Sequence, residues 1–419
     1  MKEINKKKFI SNNKIISIMK KIKKPIWIYN EKKICEKIKE LSNFDIVRYA
    51  QKACSNIHIL SIMKENGLKV DAVSLGEIER ALAAGYSTQN EDIVFTSDIF
   101  DINTLKKVLN LNITVNVGSI DMIHQIGKTS PNHNIWIRIN PRFGHGHSKK
   151  TNTGGENSKH GIWYIKEAKE AIKKYKLKLK GLHMHIGSGV DYKHLKKLCQ
   201  SMVEQVKYLD QDINLISAGG GLPIPYKKND KSINIKHYFK LWNNARKEIE
   251  KYLGHKIKLE IEPGRFLVAE SGLLITQIRA IKKIKNRRFI LVDAGFNDLM
   301  RPIMYGSYHH ISIIPHNSRK IKKDELIETV VGGPLCESGD IFTQTELGDI
   351  ETRLLPIAYP GDYLIFYDTG AYGASMSSNY NSRPLIPEFL LKKSDILFQI
   401  RRPQTIKELL MLERIKKIF

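Results

Sequence analysis

From Pro25 onward the chain alternates short apolar runs with longer stretches in which apolar residues recur at helical spacing. IWIYN precedes EKKICEKIKELSNF, DIVRYA precedes a segment carrying Leu60 and Met63, and VDAVS precedes LGEIERALAAG. Further strand-like runs are DIVFTS, NITVNV, IWIRIN, LKGLHMHIG, LISAGGG and KLEIEPG. Most are separated by helix-like stretches such as SKHGIWYIKEAKEAIKKY and YKHLKKLCQSMVEQVKYLD. Strand and helix alternating about eight times predict a (β/α)8, TIM-like barrel.

Near residue 270 the texture changes. LLITQIRAIKKI, RRFILVDAG, ETVVGG and GDYLIFYDTG are β-rich, with Gly and Pro between them, and predict a second, all-β domain of barrel or sandwich type. The expected organisation is an N-terminal segment, 1–27, joining the β domain, a barrel over 28–272, and a C-terminal β domain over 273–419. A chain of 419 residues suits more than one domain. The loop INPRFGHGHSKKTNTGGENSKHGIWY is polar and glycine-rich and follows a strand, which in a barrel puts it on the active-site side.

Composition removes several function classes. No apolar run approaches the ~18 residues of a membrane span. The basic amino terminus contains only IISIM as an apolar run, shorter than the ~7–15 residues of a signal-peptide core. Cys35, Cys54, Cys199 and Cys336 are scattered with no CxxC pair, against a disulfide framework or zinc knuckle, and free thiols suit a reducing compartment. The expected location is the cytoplasm, without a membrane partner. A net charge of +26 raises the question of nucleic acid. The lysines, however, are spread over the whole length among Ile and Asn, whose codons are rich in A and T, and no nucleic-acid module is present. Mutational bias accounts for the charge, and no nucleic-acid partner is expected.

The candidate chemistry lies at strand ends. In YAQKACSN, Lys52 stands where a strand gives way to a loop. In HMHIGSG, His183 and His185 share a strand face; they suit a metal, a structural pair, or a ring set against a planar cofactor. No third metal ligand is evident nearby. Gly187, Ser188 and Gly189 offer backbone N–H groups and a hydroxyl to an anion. In SAGGGLP and EIEPGRF, a glycine triplet including Gly221 and the segment Glu262, Pro263, Gly264 and Arg265 read as a phosphate cradle late in the barrel, with an ordinary charged turn as the alternative. The β-rich part adds Arg301 and Tyr305 as a carboxylate clamp, Cys336 and Glu337 as proton donor and ammonium binder, and Tyr372. A lysine, a phosphate cradle, a stacking His and a carboxylate together point to pyridoxal 5'-phosphate. Its aldehyde requires an amine, expected here as a partly desolvated Lys52, and its ring nitrogen a charged partner, Glu262.

On these motifs the chain resembles the diaminopimelate decarboxylases, in the alanine-racemase-like fold type III group, from about residue 24 to the C-terminus. YAQKACSN resembles the family's cofactor-lysine segment, HMHIGSG its ring-stacking His, EPGRF its nitrogen- and phosphate-binding segment, and CESGD its cysteine motif. The resemblance implies that Lys52 carries the cofactor, His185 stacks on its ring and Glu262 meets its nitrogen. Ser188, Gly221, Pro263, Gly264, Arg265 and Tyr372 become cofactor contacts. Arg265, Arg301, Tyr305, Glu337 and Tyr372 become substrate contacts, and Cys336 the acid that protonates the product carbanion. It implies further a homodimer in which Cys336 and Glu337 enter the partner's site, and conversion of meso-2,6-diaminopimelate to L-lysine and CO2. Arg142 departs from the small residue the family pattern implies, adding charge beside the polar loop. Open alternatives are an ornithine or arginine decarboxylase, an amino-acid racemase and a non-catalytic cofactor-binding protein. A racemase would set Arg at the ring nitrogen where this chain has Glu262, and a binding protein would have no need of Cys336.

Overall fold

The structure is a computed structural model describing residues 8–144, 150, 152–189, 191–285, 287–317, 319–322 and 325–413. Residues 1–7 of the expected N-terminal segment, 145–149 and 151 of the polar loop, and 414–419 of the expected β domain lie outside the described residues. The chain divides into two units. One comprises Met1–Ile34, Pro225–Lys231 and Val268–Phe419; the other comprises Cys35–Ile224 and Ser232–Leu267.

After β1 (Ile26–Asn30), eight parallel strands close a barrel in chain order. They are β2 (Ile46–Ala50), β3 (Lys69–Ala72), β4 (Ile93–Ser97), β5 (Thr114–Val117), β6 (Asn134–Ile139), β7 (Lys178–Met184), β8 (Leu215–Ser217) and β9 (Lys258–Ile261). Successive side chains on a strand point to opposite faces, and alternate strands of such a barrel contribute residues to one interior layer. Ile46, Val94, Trp136 and Leu215, from β2, β4, β6 and β8, form such a layer. Arg48, two residues above Ile46, is fully buried, and its guanidinium lies 5.3 Å from the centre of the Trp136 ring. It reaches Glu260 on β9 through two hydrogen bonds, Nε to Oε1 at 2.8 Å and Nη2 to Oε2 at 3.0 Å. This bidentate pair spans the closing seam, where β2 and β9 register Ile46 with Glu260 and Val47 with Ile261.

The covering helices follow their apolar stripes. Tyr192–Leu209 is capped by Asp191 and buries Leu195, Leu198, Cys199, Met202, Val203, Val206 and Leu209, a three-and-four spacing that makes one inward face. The stretch SKHGIWYIKEAKEAIKKY is helical only over Ile165–Tyr175. Its first half is loop because Gly161, at φ 81°, packs its backbone directly on Ile139 and Asn140.

The other unit is a mixed sheet built on β10 (Gly272–Ile284), β11 (Arg287–Val292), β12 (Ile311–Ile314), β13 (Leu326–Gly332), β14 (Arg353–Pro356), β15 (Tyr363–Phe366), β16 (Glu388–Leu391) and β17 (Leu397–Arg401). The run IWIYN, read from sequence as opening the barrel repeats, is β1 of this sheet, antiparallel to β10 and parallel to β16. All five of its residues are buried, and an apolar run buried on both faces fits either setting without naming its partner. Ile26 and Ile28 share a core with Leu273, Ile275, Ile365 and Phe389, and the N-terminal helix Asn12–Ile22 adds Ile15 and Met19 to it.

Removing one partner of a buried ion pair strands the other charge. Arg48→Met is expected to destabilise the protein by about 3–5 kcal/mol, and the double change with Glu260→Leu to recover most of that loss. Denaturant unfolding followed by circular dichroism checks both.

Candidate active site

In a parallel barrel the C-terminal ends of the strands converge on one rim. Lys52 lies there, in the 3-10 turn Gln51–Ala53 directly after β2. Ala50 N donates to Pro263 O at 3.1 Å, tying this turn to the loop after β9. Lys52 is exposed at this rim. Its charge nonetheless acts on His185, Asp71 and Glu77. Burial and then the neighbouring Glu262 raise the Asp71 carboxyl well above its ordinary value.

Glu262, one residue past β9, is 7% exposed and engaged by two donors. His183 Nε2 lies 2.9 Å from its Oε2, and Ser217 Oγ, at the end of β8, donates to its Oε1 at 2.8 Å. Burial alone would raise this carboxyl, but the charge and hydrogen bond of His183, the Ser217 hydroxyl and Arg48 hold it down to about 2. Glu262 is therefore an ionised carboxylate inside the rim. His183 Nε2 must carry the shared hydrogen, because a carboxylate only accepts. Of the two histidines in HMHIGSG, His183 thus serves Glu262. His185 is pushed far below its usual value by burial first, then by the charges of Arg138 and Lys52, and so stays neutral.

The glycine segments bring bare backbone to the same place. Gly221, at φ 97°, receives at its carbonyl the N–H of Gly189 at 2.9 Å. A Cβ on Gly221 would collide with the Gly187 carbonyl and come within 3.2 Å of His185 Cε1, so only glycine lets this loop lie against the imidazole edge. Ser188 is half-buried beside it. Pro263 and Gly264 are buried, with Gly264 so close to Ala50 and Ala53 that a Cβ would come 3.1 Å from both; Arg265 opens the short helix Arg265–Val268. A neutral imidazole, a buried carboxylate, a lysine amine and a glycine-lined backbone pocket fit a planar phosphorylated aldehyde such as pyridoxal phosphate.

The described part of the polar loop is anchored at the rim. Asp98, just beyond β4, lies 2.6 Å from His160 Nδ1 and accepts the Gly161 N–H at 3.0 Å. Arg142 sets its guanidinium 5.3 Å from the Trp163 ring centre, so its charge is placed on an aromatic face.

The remaining expected residues belong to the sheet unit. Arg301 and Tyr305 are the ends of one short helix, with Arg301 buried and Tyr305 half-buried. Cys336 and Glu337 are exposed, and Cys336 N donates to Asn381 Oδ1 at 2.8 Å. Tyr372 has φ 56°, a left-handed conformation uncommon for an aromatic residue and a mark of a constrained turn. The barrel rim thus gathers Lys52, His185, Ser188, Gly221, Glu262, Pro263, Gly264 and Arg265. Sequence reasoning left His183 without an assigned target and missed Ser217 altogether. The available signal was placement at the ends of neighbouring strands, β7 and β8, beside a strand ending in a carboxylate.

Residues 31–269 match the family described as pyridoxal-dependent decarboxylase, pyridoxal binding domain. The chain is 62% identical over 411 residues to the diaminopimelate decarboxylase of Buchnera aphidicola subsp. Baizongia pistaciae, spanning 98% of each. It is 60% identical to that of Escherichia coli K12, spanning 93% of each. A crystal structure of diaminopimelate decarboxylase superposes with a TM-score of 0.94 at 58% identity over 96% of both chains. The arginine decarboxylase of Paramecium bursaria Chlorella virus superposes at 0.76 over 91% of this chain and all of that one, with 18% identity, a likeness of fold alone.

The Glu262 carboxyl is held at about 2 in the folded chain against an ordinary 4.5, so its contribution to stability is complete above about 4.5 and fades as pH falls through about 2. The gap in unfolding free energy between the wild type and Glu262→Gln is expected to narrow over that window, measured by urea unfolding at stepped pH.

Proposed function

Because this chain belongs to the diaminopimelate decarboxylases, a family of pyridoxal-dependent carboxy-lyases, we propose that the barrel rim is where it removes CO2 from meso-2,6-diaminopimelate. The reaction yields L-lysine and is the last step of lysine biosynthesis. Bound pyridoxal phosphate supplies the electron sink that accepts the pair left behind by CO2. The observation that carries the reading is Glu262: a buried carboxylate kept ionised by His183 and Ser217 is suited to holding a pyridine nitrogen in its protonated form. Such a partner favours full withdrawal of the electron pair.

The other residues take roles set by their chemistry. Lys52 attaches the cofactor through its amine, and neutral His185 lies against the ring face. Gly221, Ser188, Pro263, Gly264 and Arg265 contact the cofactor, with Tyr372 adding a hydroxyl. Arg301, Tyr305 and Glu337, assisted by Arg265 and Tyr372, hold the distal L-configured end, so the D-centre is the carbon presented for decarboxylation. Cys336 delivers the proton that replaces CO2. Cys336 and Glu337 act from the second subunit of a homodimer, so each site draws on two chains. The free thiols Cys35, Cys54, Cys199 and Cys336 support a cytoplasmic setting, and among the described residues no helix is long and apolar enough to cross a membrane. An ornithine or arginine decarboxylase is not favoured, because relatives 55–62% identical over nearly the whole chain are diaminopimelate decarboxylases.

Purified protein is expected to show a visible cofactor band that borohydride bleaches, with the label recovered on Lys52 by peptide mapping. A colourless, unlabelled protein that still turns over substrate would remove Lys52 from this role.

Lys52→Ala and Cys336→Ala homodimers are each expected to be nearly inactive. Mixed after dissociation and reassociation at equal ratio, they should recover towards about a quarter of wild-type activity, since half the chains fall in heterodimers with one intact site. Mixed dimers that form and remain inactive would place the whole site in one chain.

A further inference from the structure

Arg301 is held by groups that its expected role alone does not explain. The helix Arg301–Tyr305 is one short turn, closed by Gly306 at φ 58°, and the chain then doubles back towards its start, with Ser307 N donating to Arg301 O at 3.3 Å. This return brings His309 beside the arginine, with Arg301 Nη1 3.0 Å from His309 Nε2. The other ring nitrogen, His309 Nδ1, is 2.8 Å from the carbonyl oxygen of Tyr367. Both side chains are buried.

These two contacts fix the proton. A backbone carbonyl can only accept, so Nδ1 carries the hydrogen; a guanidinium can only donate, so Nε2 presents its lone pair. His309 is therefore a neutral imidazole in one tautomer. Its place is set by the sheet: β12 and β15 pair Ile311 with Phe366, and just beyond that pair Tyr367 N donates to His310 O at 3.0 Å. Tyr226 completes the arrangement. Its ring centre is 4.9 Å from Arg301 Cζ, and it meets the His309 ring edge-on with centroids 5.6 Å apart. The guanidinium thus meets an uncharged acceptor and an aromatic face, and neither of these two contacts cancels its charge.

We propose that His309 is a positioning residue that aims Arg301 at the distal carboxylate of the substrate. The inference rests on the reading of Arg301 as that carboxylate's binder. A guanidinium recognises a carboxylate through two parallel N–H bonds, so its plane must be set before the substrate arrives. The Nη1 hydrogen held on His309 restrains that plane.

Three variants of the holoenzyme test this. His309→Gln keeps an oxygen acceptor at the reach of Nε2, whereas His309→Asn keeps a donor towards Tyr367 but falls short of Arg301. His309→Asn is expected to raise the KM for meso-diaminopimelate about tenfold, the loss of one charge-assisted hydrogen bond. Its kcat should stay within about threefold of wild type, and its visible cofactor band should be unchanged. His309→Gln should retain most of the wild-type KM. Inhibition by L-lysine, which keeps the distal carboxylate, should weaken in step with KM, and inhibition by 1,5-diaminopentane, which has no carboxylate, should not. Arg301→Gln separates the two levels of the reading. If it raises KM while His309→Asn does not, or if Asn and Gln at 309 behave alike, the positioning role is overturned and the binder stands. If Arg301→Gln leaves KM unaltered, the binder itself falls.

Discussion

Two carboxylates of β9 and its first loop residue, Glu260 and Glu262, point into the same barrel because residues two apart on a strand share a face. Within the barrel unit, side chains from neighbouring strands answer both negative charges. Glu260 is met by the bidentate guanidinium of Arg48 across the seam where the last strand joins the first. Glu262, one step nearer the rim, is met by donors from β7 and β8. Without a partner, either charge would face a desolvation cost of several kcal/mol.

Charge at the rim is graded. Deepest is the Arg48–Glu260 pair, then the ionised Glu262, then neutral His185, and outermost exposed Lys52. The order suits chemistry on a planar cofactor. The anion lies deep, where on the proposed reading it would hold a ring nitrogen protonated. On the same reading, the uncharged ring would flank the cofactor face and the amine would meet its aldehyde. His185 stays neutral because burial and the cationic neighbours Arg138 and Lys52 all oppose its protonation, so one arrangement of charges serves both residues.

Much of this was legible in the sequence because it rests on local pattern. The barrel strands stand out as apolar runs, and Glu262, His185, Lys52 and the glycine loops stand out because they follow those runs directly. What sequence could not supply was partnership across space. IWIYN is as apolar as any barrel strand, and nothing in its five residues states that β10 and β16 will flank it. His183 and His185 look alike as a pair, yet only the lateral neighbour distinguishes them: the carboxylate of Glu262 for one, the backbone of Gly221 for the other. Lys52 stands in a three-residue turn directly after its strand, and its exposure there is a matter of packing that the local pattern does not state.

The two units solve one problem with opposite use of the same side chain. In the barrel, His183 presents a ring N–H to an anion, and so keeps Glu262 ionised. In the sheet unit, His309 presents a ring lone pair to a cation, because the Tyr367 carbonyl has already claimed the hydrogen on its other nitrogen. A lysine in either place could only donate and a carboxylate could only accept, and each would bring a full charge into a buried site. At His309 a neutral imidazole offers a donor and an acceptor in one rigid ring, and the Tyr367 carbonyl makes the choice between them. A histidine can therefore meet a buried anion with an N–H, as at Glu262, or a buried cation with a lone pair, as at Arg301.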